Sequence, residues 1–428
     1  INMDAIKIKL PQVGNTLKPF ITKINGLYKS LNANLVKTNT KIINLNKQDK
    51  LCVFAIFKNL YDTNMLQYSL TKYSQKNQQL FKEIMETHNK PLLAEWLNSY
   101  GRIVMNHVNH LLKTGRIPQH MYNTEIDPNI MNEFVELYLM EHIHNELKYK
   151  HIYTINYKKL DITLNIYSKN NRLSSSMIND IVERVIVCGL FKSTEININF
   201  NIDIFLTPFK KKYDYYKPLE ILGPREINSG ASLMGQKLFV FRVEELNKVL
   251  VHELVHYLAL DLHEVSFANF SDYFNISSNN KVILNEAYTE IMGLLINTCI
   301  YTDKFSSVKE ILNKELKYSM YQSAKILTIF NFENANQFFK RCDCENFKQN
   351  TDIFSYFIVK TAILMDLDNF LTLYYDNKIT PLTFKDYILP IALSKKYTVY
   401  INKFMIYIQN NKQSNSLLNT LRMTYYNL

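Results

Sequence analysis

The chain has 428 residues and a formal net charge of +11, with 47% hydrophobic, 13% aromatic and 21% charged side chains. That much apolar and aromatic material excludes wholesale disorder, and only 9 Gly and 10 Pro exclude collagen-like or linker-like chains. The basic balance raises nucleic acid as a partner, yet no motif supports it, because the lysines are scattered among Asn, Ile and Tyr and the densest run is Lys210–Lys212.

In chain order, the start Ile1-Asn2-Met3 reads as processed or truncated, and the first 30 residues hold no uninterrupted apolar core of the secretory kind. Residues 1–60 are mixed. From 64 to 114 apolar positions recur at helical spacing, as in Leu92, Leu93, Trp96, Leu97, Tyr100, Ile103 and Val104, until Gly115 and Pro118. A helix is expected over Asp127–Lys148, with Pro128 in its first turn. Residues 152–168 are rich in Ile, Tyr and Thr and predict one or two strands. Ser174–Ser176 caps a helix reaching about Leu190, and 196–206 alternates Asn with Ile or Phe as a strand does.

A basic, Tyr-containing loop over 208–226 reads as a solvated loop beside a cleft. A strand over 237–242 follows, then a helix from Glu244 through about Asp261, and an almost wholly helical remainder from Ile283. Arg242, Glu244 and Glu245 read as charges at the N-terminus of that helix. The most apolar window, Ile353–Leu367, contains Lys360 and Asp366, so no membrane span is expected. The five cysteines (Cys52, Cys188, Cys299, Cys342, Cys344) are an odd set in mostly apolar surroundings. They do not read as a disulfide framework, Cys342 and Cys344 lack a second pair for a zinc site, and an intracellular, reducing compartment is expected.

The chemistry sits in His252-Glu253-Leu254-Val255-His256. Histidines at i and i+4 share a helix face and reach one metal ion, while the glutamate between them can act on a water held there. Two neutral imidazoles and a carboxylate suit zinc with an open fourth position. The bland reading is a His pair satisfied by core hydrogen bonds. Thirty residues on, Asn285-Glu286-Ala287-Tyr288-Thr289-Glu290-Ile291-Met292-Gly293 places Glu286 and Glu290 on one helix face within an apolar frame. One can bind metal while the other receives the free N–H of a ligand histidine. The metzincin spacing is disfavoured, because position 262 is Leu and His263 falls one residue late. His107 with His110, and Glu141-His142-Ile143-His144, lack a complete ligand set.

HExxH followed by Asn-Glu-Ala-x-Thr-Glu-Ile-x-Gly resembles the gluzincin metallopeptidases, whose thermolysin-type members carry a similar Asn-Glu-Ala-x-Ser-Asp segment; the likeness covers roughly residues 228–295. It implies His252, His256 and Glu286 as zinc ligands, Glu253 as general base, and Glu290 as the outer carboxylate, where the family usually has aspartate. The approach from Ile227 to Gly230 and from Phe241 to His252 is similar to predicted metallopeptidases of large DNA viruses, and with the A+T-like composition suggests a viral, virion-associated setting.

The resemblance implies an α+β, zincin-like fold: a twisted sheet from 152–168, 196–206 and 228–242 over the HExxH helix, with helix 175–190 packed on it. The expected units are a mostly helical 1–150, an upper subdomain 151–282 and a helical 283–428. The edge over 227–242 would pair with an extended polypeptide substrate. The implied function is peptide-bond hydrolysis by a zinc-activated water, with Tyr318 or Tyr321 helping to hold the oxyanion. The rival reading is a structural or assembly protein, such as a virion component, on a peptidase scaffold with little or no activity.

Overall fold

The computed structural model describes residues 6–29, 31, 39–45, 53–114, 116, 137–213, 215, 221–262, 273–276, 282–339, 347–411 and 417–426. It is an α+β protein. Six strands make one mixed sheet in the order β1–β2–β3–β4–β6–β5, with β1 Asn39–Asn44, β2 Tyr149–Tyr157, β3 Leu160–Ser168, β4 Ile198–Phe205, β5 Gly230–Leu233 and β6 Lys237–Val240. The Ile/Tyr/Thr-rich run is two strands of an antiparallel hairpin that turns at Lys158 (φ 53°). β3, β4 and β6 are mutually parallel, and β5 returns antiparallel to β6 through a turn with Gly235 at φ 65°. A positive φ there is cheap for glycine and costly for most other residues.

Strand alternation divides the core into two clusters. Leu160, Ile162, Leu164 and Ile166 of β3, and Phe200, Ile202 and Ile204 of β4, face the larger cluster. Tyr167, Phe205, Phe239 and Phe241 face the other way, into a second cluster with the helices between Val53 and Glu146. The β4 alternation is therefore exposed on one face only at its start, and its end is buried on both faces. The second layer also buries Asp203, which accepts from Asn165 at 2.8 Å and pairs with Lys237 at 2.9 Å. Residues from Ile6 to Ile24 join the larger cluster.

Under the inner face of the sheet lie α1 (Ser175–Lys192) and α2 (Leu246–Tyr257). Ser174 occupies the N-cap of α1, but its hydroxyl bonds Ser176 Oγ at 2.7 Å rather than a backbone N–H. Next come α3 (Asn285–Tyr301), α4 (Phe305–Ile329) and α5 (Lys395–Asn410). Every residue of α2 is buried except Asn247 and His256, which are half-buried. It packs on α1, β5, β6 and α3, and a helix enclosed this way needs no amphipathic stripe. Of the helix expected over 127–148, Leu137–Glu146 is helical and the first ten residues lie outside the described ones. Cys52, Cys342 and Cys344 lie outside them too, whereas Cys188 and Cys299 are free and buried.

One expectation fails at the basic loop. Lys211 is not solvated; it is buried against Glu245 at 2.9 Å. Glu245 stands at the helix start, as expected from the sequence, but is buried there. It holds the N-cap of α2 at φ 61° and accepts from the backbone N–H of Thr424 at 2.7 Å. Glu244 accepts from the Lys211 backbone N–H, and Arg242 is buried, donating to the Arg225 carbonyl at 2.6 Å. These charges became internal because the C-terminal segment threads beside them. Leu421 N–H donates to the Lys211 carbonyl, and Tyr213 N–H to the Asn419 carbonyl, each at 3.0 Å.

Removing one partner of a buried pair strands the other charge. Lys211→Met and Glu245→Met are each expected to lower stability by about 3–5 kcal/mol. The double variant should lose less than the sum of the two, as a double-mutant cycle from urea unfolding will read.

Candidate metal centre

α2 and α3 cross where Gly293 meets His252: a Cβ on Gly293 would stand 3.2 Å from His252 Cα. That close approach sets two helical repeats face to face. His252 and His256 are one turn apart on α2, and Glu286 and Glu290 are one turn apart on α3. Glu286 Oε2 lies 3.5 Å from His252 Nε2 and 3.3 Å from His256 Nε2. One ligand atom from each of the three falls within 4.8 Å of the others, and among the described residues no other group of three such side chains does so. A tetrahedral zinc with bonds of about 2.0–2.1 Å holds its ligand atoms about 3.3–3.4 Å apart, so this donor set fits the ion in type and its two carboxylate–imidazole distances are close to that spacing.

The other nitrogen of each imidazole meets a carboxylate. His252 Nδ1 is 2.9 Å from Glu290 Oε1, and His256 Nδ1 is 2.7 Å from Asp261 Oδ2. Such contacts turn Nε2 toward a metal and raise its basicity. Expected from the sequence to meet a ligand histidine from behind, Glu290 meets His252 and also Lys248, with Lys360 Nζ 3.5 Å away, and Glu290 and both lysines are fully buried. Lys360 also donates to the Met423 carbonyl, which ties the centre to the C-terminal segment.

Glu253 faces a cleft of about 430 Å³ lined by β5, the three cluster residues, Asp352 and Tyr356. Gly230 is required beside it. A Cβ there would stand 2.7 Å from Glu253 Cγ and 2.9 Å from the Phe239 carbonyl oxygen. Burial raises the Glu253 carboxyl above the usual carboxylate range, against the opposing pull of His252 and His256. Burial also opposes charge on the two imidazoles, but Glu286 and Glu290 raise His252, and Glu286 and Asp261 hold His256 well above an ordinary imidazole. Glu286 itself is pulled far down, burial notwithstanding, by both histidines.

Neither tyrosine expected to hold an oxyanion lines this cleft. Tyr318 is buried in α4, donating to the Arg422 carbonyl at 3.1 Å and accepting from Gln322, and Tyr321 is buried on the same helix. The cleft tyrosine is Tyr356, on a π-helical turn over Phe354–Val359, with its ring 6.1 Å from that of His252. Burial first, and then the Glu286 charge, keep its phenol protonated far above its usual pKa. His107 contacts Ser69, and the His142 ring packs on Phe209. The Glu141 and His144 side chains lie outside the described residues.

The chain is 28% identical over 192 residues, 42% of its length, to an uncharacterized protein, R210, of Acanthamoeba polyphaga mimivirus. It spans 50% of that relative. The match agrees with the viral likeness. No family model and no solved structure matches the chain. Among the described residues, no helix is long and apolar enough to cross a membrane.

Glu290→Leu strands Lys248 and Lys360 and is expected to destabilise the fold by about 3–5 kcal/mol in urea unfolding. With Glu286 and Glu290 both depressed in the folded state, their contribution to stability is complete above the unfolded value of about 4.3 and is lost as pH falls below it. The urea midpoint should therefore drop between pH 6 and pH 3.5, and by less in Glu290→Leu.

Proposed function

We propose that the chain is a zinc-dependent metallopeptidase of zincin-like fold, with His252, His256 and Glu286 as ligands. The spacing of the three donor atoms, 3.3 and 3.5 Å between carboxylate and imidazole, carries this reading. Zinc bound there supplies Lewis acidity toward a peptide carbonyl and toward water. The protein supplies the rest. Glu253, beside Gly230 and with its carboxyl raised by burial, takes the proton of the attacking water and passes it to the leaving amine. Tyr356, kept protonated, donates to the oxygen that gains charge. Glu290 and Asp261 fix the two imidazoles. β5, the last strand of the sheet among the described residues, lines the cleft and would pair there with an extended polypeptide. The mimivirus relative supports a viral setting.

Zinc is expected at about one ion per chain, with Glu253→Gln retaining it while peptide hydrolysis falls by about 10²–10⁴-fold. Tyr356→Phe should lower kcat with little change in KM. Zinc absent from protein that never met a chelator would contradict the reading. Zinc present without hydrolysis of any peptide would favour a structural or assembly role. Zinc binds neutral imidazoles, and both imidazoles are raised above the ordinary value by their carboxylate partners, so zinc binding is expected to release protons. Calorimetry in two buffers of different ionisation enthalpy reads that release, and zinc affinity should weaken as pH falls.

A further inference from the structure

Asn285 is the first residue of α3 and lines the cleft beside Glu286. It is 9% exposed, and its Oδ1 is buried with no hydrogen-bond partner. An asparagine at a helix start is ordinarily explained as a cap. Here the N-cap is Leu284, and Asn285 lies one position too far into the helix to serve. Its backbone carbonyl accepts from Thr289 Oγ1 at 3.1 Å, while the side-chain oxygen is left out. Few buried polar groups in folded proteins go unpaired, and each calls for a reason, such as a ligand that arrives from outside the chain.

The surroundings give the chemistry of that ligand. From the sheet the cleft is lined by Gly230, Ala231 and Ser232 of β5. With side chains this small, β5 offers mainly its backbone there. An extended polypeptide paired on β5 uses the N–H and C=O groups along one edge only. The groups along its other edge still need partners, because a strand directs them to both sides. A side-chain amide oxygen is chemically a peptide carbonyl, so Asn285 supplies one acceptor of the kind a second neighbouring strand would bring. Glu286 follows it directly in the chain, about 3.8 Å on between Cα atoms. An N–H bound at Asn285 therefore belongs to a residue next to the bond under attack.

We propose that Asn285 Oδ1 accepts a backbone N–H of the polypeptide substrate beside the scissile bond, so that β5 and Asn285 hold the substrate by its main chain. The inference deepens the peptidase reading above and rests on it for the course of the substrate along β5.

The first test needs no substrate. Asn285→Leu keeps the shape and removes the orphan oxygen, so the full-length variant should bind zinc as the parent does and unfold at an equal or higher urea concentration. A lower midpoint, or loss of zinc, would make the amide a structural group and overturn the proposal. The second test follows binding without turnover. Zinc-loaded Glu253→Gln is mixed with a library of acetylated, amidated octapeptides of mixed sequence, and one retained peptide is remade with each backbone N–H in turn replaced by an ester oxygen. One ester should weaken binding by about ten-fold. Adding Asn285→Ala should weaken the all-amide peptide by about as much and make that ester cost nothing further. Retention of no peptide, or ester effects that are the same in both proteins, would overturn the contact. Hydrolysis of the library by the parent at a rate unchanged by Asn285→Ala would also overturn it, leaving the peptidase standing. An ester effect that depends on Asn285, without hydrolysis by the parent, would overturn the peptidase reading and leave the contact standing.

Discussion

A carboxylate with almost no exposure needs compensating charge or it stays protonated, and Glu290 meets that requirement with three partners at once. Lys248 and His252 come from one helix, and Lys360 from a helical turn far along the chain. Two of them are fixed in turn: Lys360 by the Met423 carbonyl, and the His252 backbone by its close approach to Gly293. The register of α2 on α3 follows from this knot. Slipping one helix against the other by a turn would separate Glu290 from its partners and leave buried charges uncompensated. The same register brings Glu286 within 3.3–3.5 Å of both imidazoles. The geometry of the proposed metal centre is thus a consequence of how an internal ionic cluster is satisfied.

That cluster also explains the chain's last residues. Lys211 with Glu245, Glu315 with Thr424 and Lys325 with the carbonyls of Leu417 and Thr420 are all internal contacts of the segment 417–426 or its neighbours. Four lysines whose charge suggested a polyanionic partner (Lys211, Lys248, Lys325 and Lys360) are buried. Part of the basic character therefore serves the interior, where Lys211, Lys248 and Lys360 offset buried carboxylates and Lys325 donates to backbone carbonyls.

The sequence made the strands and the HExxH helix legible where periodicity was undiluted. β4 alternates Asn with apolar residues and appears within a residue or two of its expected ends, and HExxH lies within a helix, in its C-terminal half, as its i, i+4 spacing requires. The fate of charged residues in loops was not legible, because burial there depends on a segment some 200 positions away. Lys211 looked solvated for that reason. At the site, Glu286 and Glu290 were readable from helical spacing. Asp261 follows the end of α2 beyond a residue at φ 48° (Ala259), where no periodicity predicts its direction. Tyr356 sits on a π-helical turn, whose register departs from the helical count, and Tyr318 and Tyr321 drew attention only by lying in the helical half. Lys248 alone among the missed residues carried a signal: it precedes His252 by four positions, on the same helix face.

The central claim is that two imidazoles and one carboxylate converge to hold a zinc ion. X-ray absorption at the zinc edge of the loaded protein tests it most directly. The account predicts a nitrogen and oxygen shell at about 2.0–2.1 Å, with multiple scattering from two imidazoles that falls to one in His256→Ala. A sulfur shell at about 2.3 Å, or a spectrum unchanged by His256→Ala, would contradict it.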